Sequence, residues 1–329
     1  MKVLILSNQN DPHAVSVFKH LEEMNVHVDF LHYSDFSSCR LSYSIISGVP
    51  HIAIQRASEV LDLRSYASIW HRRPGKFETH KFPEAWVQRM VEHETRDMWN
   101  GVIHNIPCLW VNHPRRDAEC LLKLSQLEIA SAVGLTVPET IVTNQPDEVR
   151  EFFQRCSGKV IYKLIAEASG FYLPPYEAAA LPTLPMREID LNFINQVQYA
   201  PHLFQRYVDK LYDIRATVIG KQIFAGRIYS QAGKGKVDWR QDYSVKMEPT
   251  ELPSVISDAC LELMRRLRLN YSAIDFCETA EGEYLFLEIN CGGQFLWLEE
   301  RTGQPMAKAL AELLAHQSPP LIEQALTTF

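Results

Sequence analysis

The chain has 329 residues, 46% of them hydrophobic and 22% charged, which is the composition of a globular protein with a substantial core. Its net charge of −7 argues against a general nucleic-acid binder. The seven cysteines are scattered and form no CxxC pair, which argues against a disulfide framework. The N-terminus has no signal-peptide core, and no apolar run is long enough to span a membrane. We therefore expect a cytoplasmic protein.

The first third of the chain predicts alternating strands and helices. Residues 2–7 predict a buried strand, residues 11–24 an amphipathic helix and residues 26–31 a second strand. Residues 68–70 and 108–112 predict two more short strands, separated by a helix over residues 83–100. This βαβ opening indicates an α/β domain, which we end near Pro114.

Two arginine pairs follow strands of this domain. Arg72 and Arg73 come after residues 68–70, and Arg115 and Arg116 come after residues 108–112. Ligands of α/β domains bind at strand ends, so these arginines are candidates for contacting an anion. Solvated loop charge is the alternative, and Arg73 is the stronger candidate.

The middle of the chain contains two lysines in apolar surroundings. Residues 117–133 predict one helix, which contains Lys123. Residues 159–165 predict a strand with Lys163 in its middle, and such a lysine needs an anionic partner unless its side chain reaches an edge. We therefore weigh a phosphate-binding role for Lys163 against an edge position. Residues 166–200 predict a loop-rich excursion without a glycine-rich phosphate loop.

The last third changes to a strand-rich pattern. Strands are predicted over residues 203–208, 213–219 and 221–229, followed by a polar loop over residues 230–240. Helices are predicted over residues 254–268 and 306–315, with a hairpin between them at residues 271–294.

The hairpin carries the strongest chemical signal in the chain. With a two-residue loop at Glu281-Gly282, antiparallel pairing places Asp275 directly opposite Glu288. Since side chains alternate between faces, Asn290 joins Glu288 on the same face.

Two carboxylates facing each other across a hairpin repel, and a divalent cation between them reverses the sign of that interaction. Two carboxylates and an amide oxygen suit Mg²⁺ that also carries phosphate ligands. An exposed hairpin face with scattered acids is the alternative. The neighbouring Tyr284, Phe286 and Trp297 argue against a plain solvent-facing surface.

The order of these pieces resembles the ATP-grasp ligases, which place a helix lysine, a strand lysine, an Asp-Ile-Arg motif and an Asp…Glu-x-Asn metal set around one nucleotide. The matching residues here are Lys123, Lys163, Asp213-Ile214-Arg215, Asp275, Glu288 and Asn290. The resemblance implies an α/β (α+β) ATP-grasp fold with three parts: an N-terminal βαβ (pre-ATP-grasp) domain at 1–114, a central subdomain at 115–201 and a C-terminal subdomain with the metal site at 202–329.

The same resemblance implies how ATP and Mg²⁺ are held. The two lysines and Asp213 are assigned to the nucleotide, the carboxylates and Asn290 to Mg²⁺, and Arg215 to the acyl phosphate. The segment expected along the adenine edge consists of Gln205, Arg206, Tyr207 and Val208.

A narrower resemblance rests on three stretches: Ser230-Gln231 with Asp238-Trp239-Arg240, the WHRR segment at 70–73, and residues 287–303. Together they look like the graspetide maturases, the microviridin-type ligases that crosslink ribosomally made peptides. This implies a precursor peptide with a leader and an acidic core, a homodimer, and no nucleic-acid or membrane partner. Arg240 would hold the acceptor carboxylate or the acyl phosphate, and the residues assigned to the peptide are Arg72, Arg73, Ser230 and Asp238.

These resemblances lead to an ADP-forming ligase that makes macrolactone or macrolactam crosslinks. Three alternatives stay open: a ligase that adds amino acids to a small molecule or a protein terminus, a kinase that stops after phosphoryl transfer, and a non-catalytic nucleotide-binding regulator. A regulator is expected to have lost a metal ligand, and none is lost here. The sequence leaves open the choice between ester and amide and the number of rings.

Overall fold

The computed structural model describes residues 1–56, 59–166 and 183–316. In chain order the strands are β1 (Lys2–Ser7), β2 (His27–Leu31), β3 (Arg40–Ile46), β4 (Val49–Arg56), β5 (Glu59–Asp62), β6 (Ser68–Arg73), β7 (Leu109–Val111), β8 (Thr140–Thr143), β9 (Val160–Lys163), β10 (Leu184–Pro185), β11 (His202–Arg206), β12 (Lys210–Ile219), β13 (Gln222–Ile228), β14 (Met247–Thr250), β15 (Tyr271–Thr279) and β16 (Tyr284–Asn290). The α-helices are α1 (Pro12–Glu23), α2 (Ala85–Ile103), α3 (Pro114–Cys120), α4 (Lys123–Ala132), α5 (Pro146–Arg155), α6 (Ser254–Leu267), α7 (Leu296–Thr302) and α8 (Met306–Ala315).

The N-terminal sheet is parallel, with the strand order β2-β1-β6-β7. The predicted βαβ opening is confirmed, since β1 pairs with β2 across the intervening α1. The side chain of Asp11 accepts a hydrogen bond from the backbone of Ala14, and Pro12 occupies the first turn, so this helix begins where its sequence favours a start. The fold is therefore α/β at this end, as expected.

A three-stranded antiparallel sheet, β3-β4-β5, was not predicted. Its first hairpin turns at Ser47-Gly48, both with positive φ. Tyr43 and Ile45 lie on this hairpin with 51% and 63% of their surfaces exposed. Tyr43 and Ile45 alternate with Ser42 and Ser44, so the sequence does carry a strand pattern here, although its apolar side chains are exposed and not in the core.

The prediction of a single helix over residues 117–133 is wrong, because the helix is interrupted at Leu121 and Leu122, which separate α3 from α4. Leu121, Leu122 and Leu124 are all exposed, at 40%, 58% and 42%. The first leucines of the predicted helix therefore do not pack in the core, whereas Leu127 and Ile129 of α4 pack against it. As a result Lys123 is the first residue of α4 rather than an interior one.

The central sheet is antiparallel, in the order β10-β9-β11-β8. The strand predicted over residues 159–165 is shorter than expected, so Lys163 is the last residue of β9. Part of the 166–200 excursion has regular structure, namely β10 and a 3₁₀ helix at Glu188–Tyr199. Residues 167–182, the rest of that predicted loop, lie outside the described residues.

The C-terminal sheet has five antiparallel strands in the order β14-β13-β12-β15-β16. Asp275 pairs with Glu288, as predicted. The predicted loop length of two residues is wrong, because β15 ends at Thr279 and β16 begins only at Tyr284. The register shifts between Asp275 and Phe276, so a β-bulge compensates for the longer loop on the way to the paired carboxylates.

The C-terminal helices return to the N-terminal sheet. The helix α8 packs against α1, and α7 begins beside His13. His13 Nε2 accepts hydrogen bonds from the backbone N–H groups of Phe295 (3.1 Å) and Leu296 (3.3 Å). A neutral imidazole on α1 therefore helps to fix the segment that follows the paired carboxylates.

This arrangement predicts a loss of stability in mild acid. Burial, reinforced by the nearby Arg72, lowers the pKa of His13 from 6.5 to about 4. The unfolded chain thus binds the proton more tightly, so the stability from His13 is present above pH 6.5 and is lost as the pH falls towards 4, by about 2 kcal/mol at pH 5. Thermal unfolding at pH 7 and pH 5 measures it. We expect His13→Gln, which does not titrate, to weaken the pH dependence.

No helix among the described residues is both long and apolar enough to cross a membrane.

Candidate functional site

A cavity of about 520 Å³ lies between the central and C-terminal sheets. One wall comes from β9 and β11, and the opposite wall from β12, β15 and β16. Most of the predicted site residues line this cavity, and it therefore brings together side chains that are far apart in sequence. Those lining residues are Lys123, Lys163, Gln205, Arg206, Tyr207, Val208, Asp213, Asp238, Arg240, Asp275, Glu288 and Asn290.

Three charged residues form one row across the C-terminal sheet. Arg215 on β12 pairs with Asp275 on β15, which pairs in turn with Glu288 on β16. Arg215 Nη1 donates to both carboxylate oxygens of Asp275 at 3.0 Å, and both side chains are buried. The Asp-Ile-Arg motif thus points its arginine at the first of the two paired carboxylates.

Arg240 bridges the two carboxylates. Its Nη2 donates to Asp275 Oδ2 at 2.8 Å and also to Glu288 Oε1. Burial alone would raise the pKa of Glu288, but the charges of Arg240 and Lys163 lower it to about 2. Burial raises the pKa of Asp275 in spite of the two arginines beside it. The predicted repulsion between the carboxylates is therefore neutralised by a guanidinium.

The geometry fits the predicted magnesium ligands in one important respect. A single cationic nitrogen reaches both Asp275 and Glu288, so the two carboxylates converge on one point that accepts positive charge. Asn290 is exposed, and its Oδ1 accepts a hydrogen bond from the backbone of Gly292 at 3.0 Å. In the described part of the chain, no group of three or more His, Cys, Asp or Glu side chains is placed to hold a metal. The candidate set therefore consists of two carboxylates and an amide.

The opposite wall is cationic. Lys163 Nζ donates to Gln205 Oε1 at 2.8 Å, and Gln205 Nε2 donates to Thr140 at 2.9 Å. Burial and the neighbouring Lys123 lower the pKa of Lys163, while Glu288 opposes the shift. Lys123 Nζ donates to the carbonyl oxygen of Leu164, directly after β9. Both lysines therefore lie at the end of β9, facing the carboxylates.

The segment predicted along the adenine edge leaves β11 at the cavity wall. Gln205 is buried, and Tyr207 and Val208 follow it along the cavity. Arg206 also borders the cavity, but its guanidinium forms an ion pair with Glu139 at 2.6 Å on the half-exposed side.

Lys210 is a cavity residue that sequence reasoning missed. Its Nζ donates to Asp213 Oδ1 at 2.7 Å, and both side chains are buried. Residues three apart on a regular strand face opposite sides, but the register shift between Lys210 and Tyr212 places Lys210 and Asp213 on the same side. Burial raises the pKa of Asp213, while Lys210 and the hydroxyl of Ser230 oppose the shift.

The residues predicted to contact a peptide occupy different environments. Asp238 lies in the cavity wall, where its Oδ1 accepts from the backbone of Arg240 at 3.1 Å. Ser230 is fully buried beside the cavity-lining Asp213. Arg73 is exposed, whereas Arg72 is buried, with its Nη1 donating to the carbonyl of Gly292 at 2.9 Å. The surroundings of Arg72 are those of a residue that positions the loop after β16.

That loop has four consecutive carbonyls held by side chains. Besides Arg72 on Gly292, Asn112 donates to the carbonyl of Cys291 at 3.2 Å. The Tyr271 hydroxyl donates to Gly293 at 2.6 Å, and Arg215 Nη2 donates to Gln294 at 3.4 Å. A Cβ on Gly293 would lie 2.5 Å from Ala273 Cβ, so only glycine fits there. Neither Asn112 nor Tyr271 has a local sequence signal, because each acts across the fold.

Comparison with solved structures gives matches over nearly the whole chain. A RiPP-associated ATP-grasp ligase of Chryseobacterium gregarium, solved with ADP and a leader and core peptide, has a TM-score of 0.89 and 27% identity, covering 97% of this chain and 98% of that one. The macrocyclase MdnC of Microcystis aeruginosa MRC, solved with the precursor peptide MdnA, has a TM-score of 0.81 and 27% identity, covering 95% and 99%.

Among curated proteins, the α-aminoadipate–LysW ligase LysX of Sulfurisphaera tokodaii is 24% identical over 213 residues, covering 62% of this chain and 70% of that protein. No protein-family model matches the chain. The fold is that of the ATP-grasp ligases, and the expectation drawn from the Asp…Glu-x-Asn hairpin and the two lysines is confirmed at that level.

Proposed function

We infer that the chain is an ATP-grasp ligase of the graspetide-maturing group, which activates carboxyl side chains of a ribosomal precursor peptide with ATP and joins them to hydroxyl or amino groups of the same peptide. One observation carries this proposal. A cavity with two lysines on one wall faces the paired carboxylates and Arg240 on the other, within a fold shared over 97% of the chain with a peptide-bound relative.

The chemistry follows from the charges in the cavity. A carboxylate is a poor acyl donor, so a ligase first transfers the γ-phosphoryl group of ATP to it, which releases ADP. The hydroxyl or amine then attacks the acyl phosphate, and phosphate leaves. The protein neutralises phosphate charge and aligns the reactants. Lys123, Lys163 and Arg215 would supply positive charge, and Arg240 would hold a carboxylate by a bidentate contact.

We further propose the cofactor assignments. Asp275, Glu288 and Asn290 would hold Mg²⁺, which would neutralise phosphate charge when bound. The backbone after Gln205 would contact the adenine, with Arg206, Tyr207 and Val208 along it, and Asp213 would act near the nucleotide through Lys210. The convergence of Asp275 and Glu288 on one cationic nitrogen supports the metal assignment.

Peptide contacts, domain limits and assembly are proposals of the same kind. Arg73 and Asp238 would contact the peptide, the buried Ser230 would act through Asp213, and Arg72 would act through the loop at Gly292. We propose the division at residues 1–114, 115–201 and 202–329, although β11 of the central sheet falls in the third part and α8 packs on α1 across the division. A homodimer and a cytoplasmic location complete the proposal.

A second candidate function is addition of free amino acids to a protein or small molecule. Its support is the 24% identity to the α-aminoadipate–LysW ligase. The structural match to the peptide-bound relatives extends over a larger share of this chain, which favours crosslinking. The two functions change the mass of the product in opposite directions.

The test uses a short peptide that carries Thr, Ser or Lys and Asp or Glu near its C-terminus, taken from the reading frame next to this one. Each crosslink removes one water, so we expect products lighter by whole multiples of water, formed only with ATP and Mg²⁺. Chromatography of the spent nucleotide should show ADP. Added amino acids, a retained phosphate or AMP with pyrophosphate would contradict the proposal.

A further inference from the structure

Arg240 occupies the position between the carboxylates where a metal ion would be expected. We propose that Arg240 holds the place of the cation in the metal-free site, and that binding of a magnesium nucleotide releases it to form a binding site for a substrate carboxylate. This rests on the proposed function and adds a binding order to it: metal and nucleotide first, acidic side chain second.

Asp275 and Glu288 are already neutralised by arginines. Arg215 and Arg240 carry two positive charges against the two negative charges of these carboxylates, while Asp238 adds one negative charge 3.7 Å from Arg240 Nη1. A divalent ion added between Asp275 and Glu288 would meet Arg240 at contact distance. Like charges that close repel strongly in a partly buried site. The metal and Arg240 therefore compete for the same carboxylate oxygens.

Of the two arginines, Arg240 has the side chain that is free to move. The Arg215 side chain is 5% exposed and contacts both oxygens of Asp275. The Arg240 side chain is 41% exposed and extends from a short 3₁₀ turn at Trp239–Gln241. Its guanidinium lies 5.6 Å from the ring centre of Trp239, and its Nη1 lies 3.7 Å from Asp238. Arg240 can therefore change partners without disturbing the sheet.

A released Arg240 would be available to a substrate carboxylate in the cavity. It lines the same cavity as the two lysines that face the carboxylates. A guanidinium that has lost two carboxylate partners in a partly buried site requires another anion, and a carboxylate matches its paired N–H donors. The acidic side chain of a substrate supplies that carboxylate. Until the metal has bound, Asp275 and Glu288 occupy the N–H donors of Arg240, so the substrate carboxylate cannot bind there.

The test measures Mn²⁺ binding to the nucleotide-free chain by electron paramagnetic resonance, which detects free Mn²⁺. We expect Arg240→Met to bind Mn²⁺ at least about tenfold more tightly than the unaltered chain, because the competing cation is gone. Arg240→Lys should fall between them. The matched control is Arg227→Met, which removes an arginine paired with Glu278 on the same sheet and should leave Mn²⁺ affinity unchanged.

Equal or weaker Mn²⁺ binding by a folded Arg240→Met chain, checked by circular dichroism, would overturn the proposal. If Arg240→Met does not fold, the test rests on Arg240→Lys. Mn²⁺ affinity equal to that of the unaltered chain in Arg240→Lys would then overturn the proposal. Failure of the proposed function has a different signature. In that case Mg·ADP fails to bind or no water is lost from any peptide, whatever the order of Mn²⁺ affinities.

Discussion

Replacing Glu288 by Gln is expected to reduce ATP turnover by at least on the order of 10²–10³-fold while the fold stays intact. The change removes one negative charge at nearly constant shape. It takes away one of the two carboxylates that converge on the cationic nitrogen of Arg240, and with it the charge that would bind a metal. The measurement is steady-state ADP release at a fixed Mg²⁺ concentration.

The effect on stability should be small and unfavourable. In the chain as it stands, Arg240 lies between Asp275 and Glu288, so loss of one carboxylate removes an attraction rather than a repulsion. Glu278→Gln is the matched control, since Glu278 is an acid of the same hairpin that pairs with Arg227. It should retain its turnover. Full activity in Glu288→Gln at ordinary Mg²⁺ would contradict the metal assignment.

The second large effect is expected for Arg240→Ala. Crosslink formation should fall by on the order of 100-fold or more, whereas the affinity for Mg·ATP should not fall. The reason is that Arg240 is assigned to the substrate carboxylate, while the phosphates have Lys123, Lys163 and Arg215. Product formation is followed by mass spectrometry, and nucleotide affinity by calorimetry.

Arg155→Ala serves as a comparison for that variant. Arg155 is not among the residues that line the cavity, and its guanidinium forms an ion pair with Glu139 at 2.6 Å. We expect this variant to keep most of its crosslinking activity. Equal losses of nucleotide binding and crosslinking in Arg240→Ala would assign the residue to the phosphates instead.

The paired carboxylates could be predicted because the information is local. A strand pattern, one turn and period-two alternation were sufficient to place Asp275 opposite Glu288. The two-residue loop was wrong, and a bulge between Asp275 and Phe276 compensated for it. A bulge leaves no clear pattern in the sequence. The same limit explains why Lys210 was missed, since an irregularity in β12 places it beside Asp213.

Contacts that span the fold were beyond prediction. Nothing near Arg240 in the sequence indicates that its side chain reaches Asp275 and Glu288, since the loop that carries it has no regular pattern. Likewise the WHRR segment marked Arg72 as an anion contact, but the fold buries it against the carbonyl of Gly292. Side chains in loops and at domain contacts are positioned by tertiary packing, which a periodic pattern does not report.

We propose above that the chain activates a peptide carboxylate as an acyl phosphate. The most direct measurement uses a substrate peptide whose Asp and Glu side-chain carboxylates carry ¹⁸O. When the acyl phosphate is attacked at carbon, one carboxylate oxygen leaves with the phosphate. We predict one ¹⁸O in inorganic phosphate for every water lost from the peptide, with ADP formed in equal amount. Label appearing in AMP, or absent from phosphate while crosslinks form, would contradict the account.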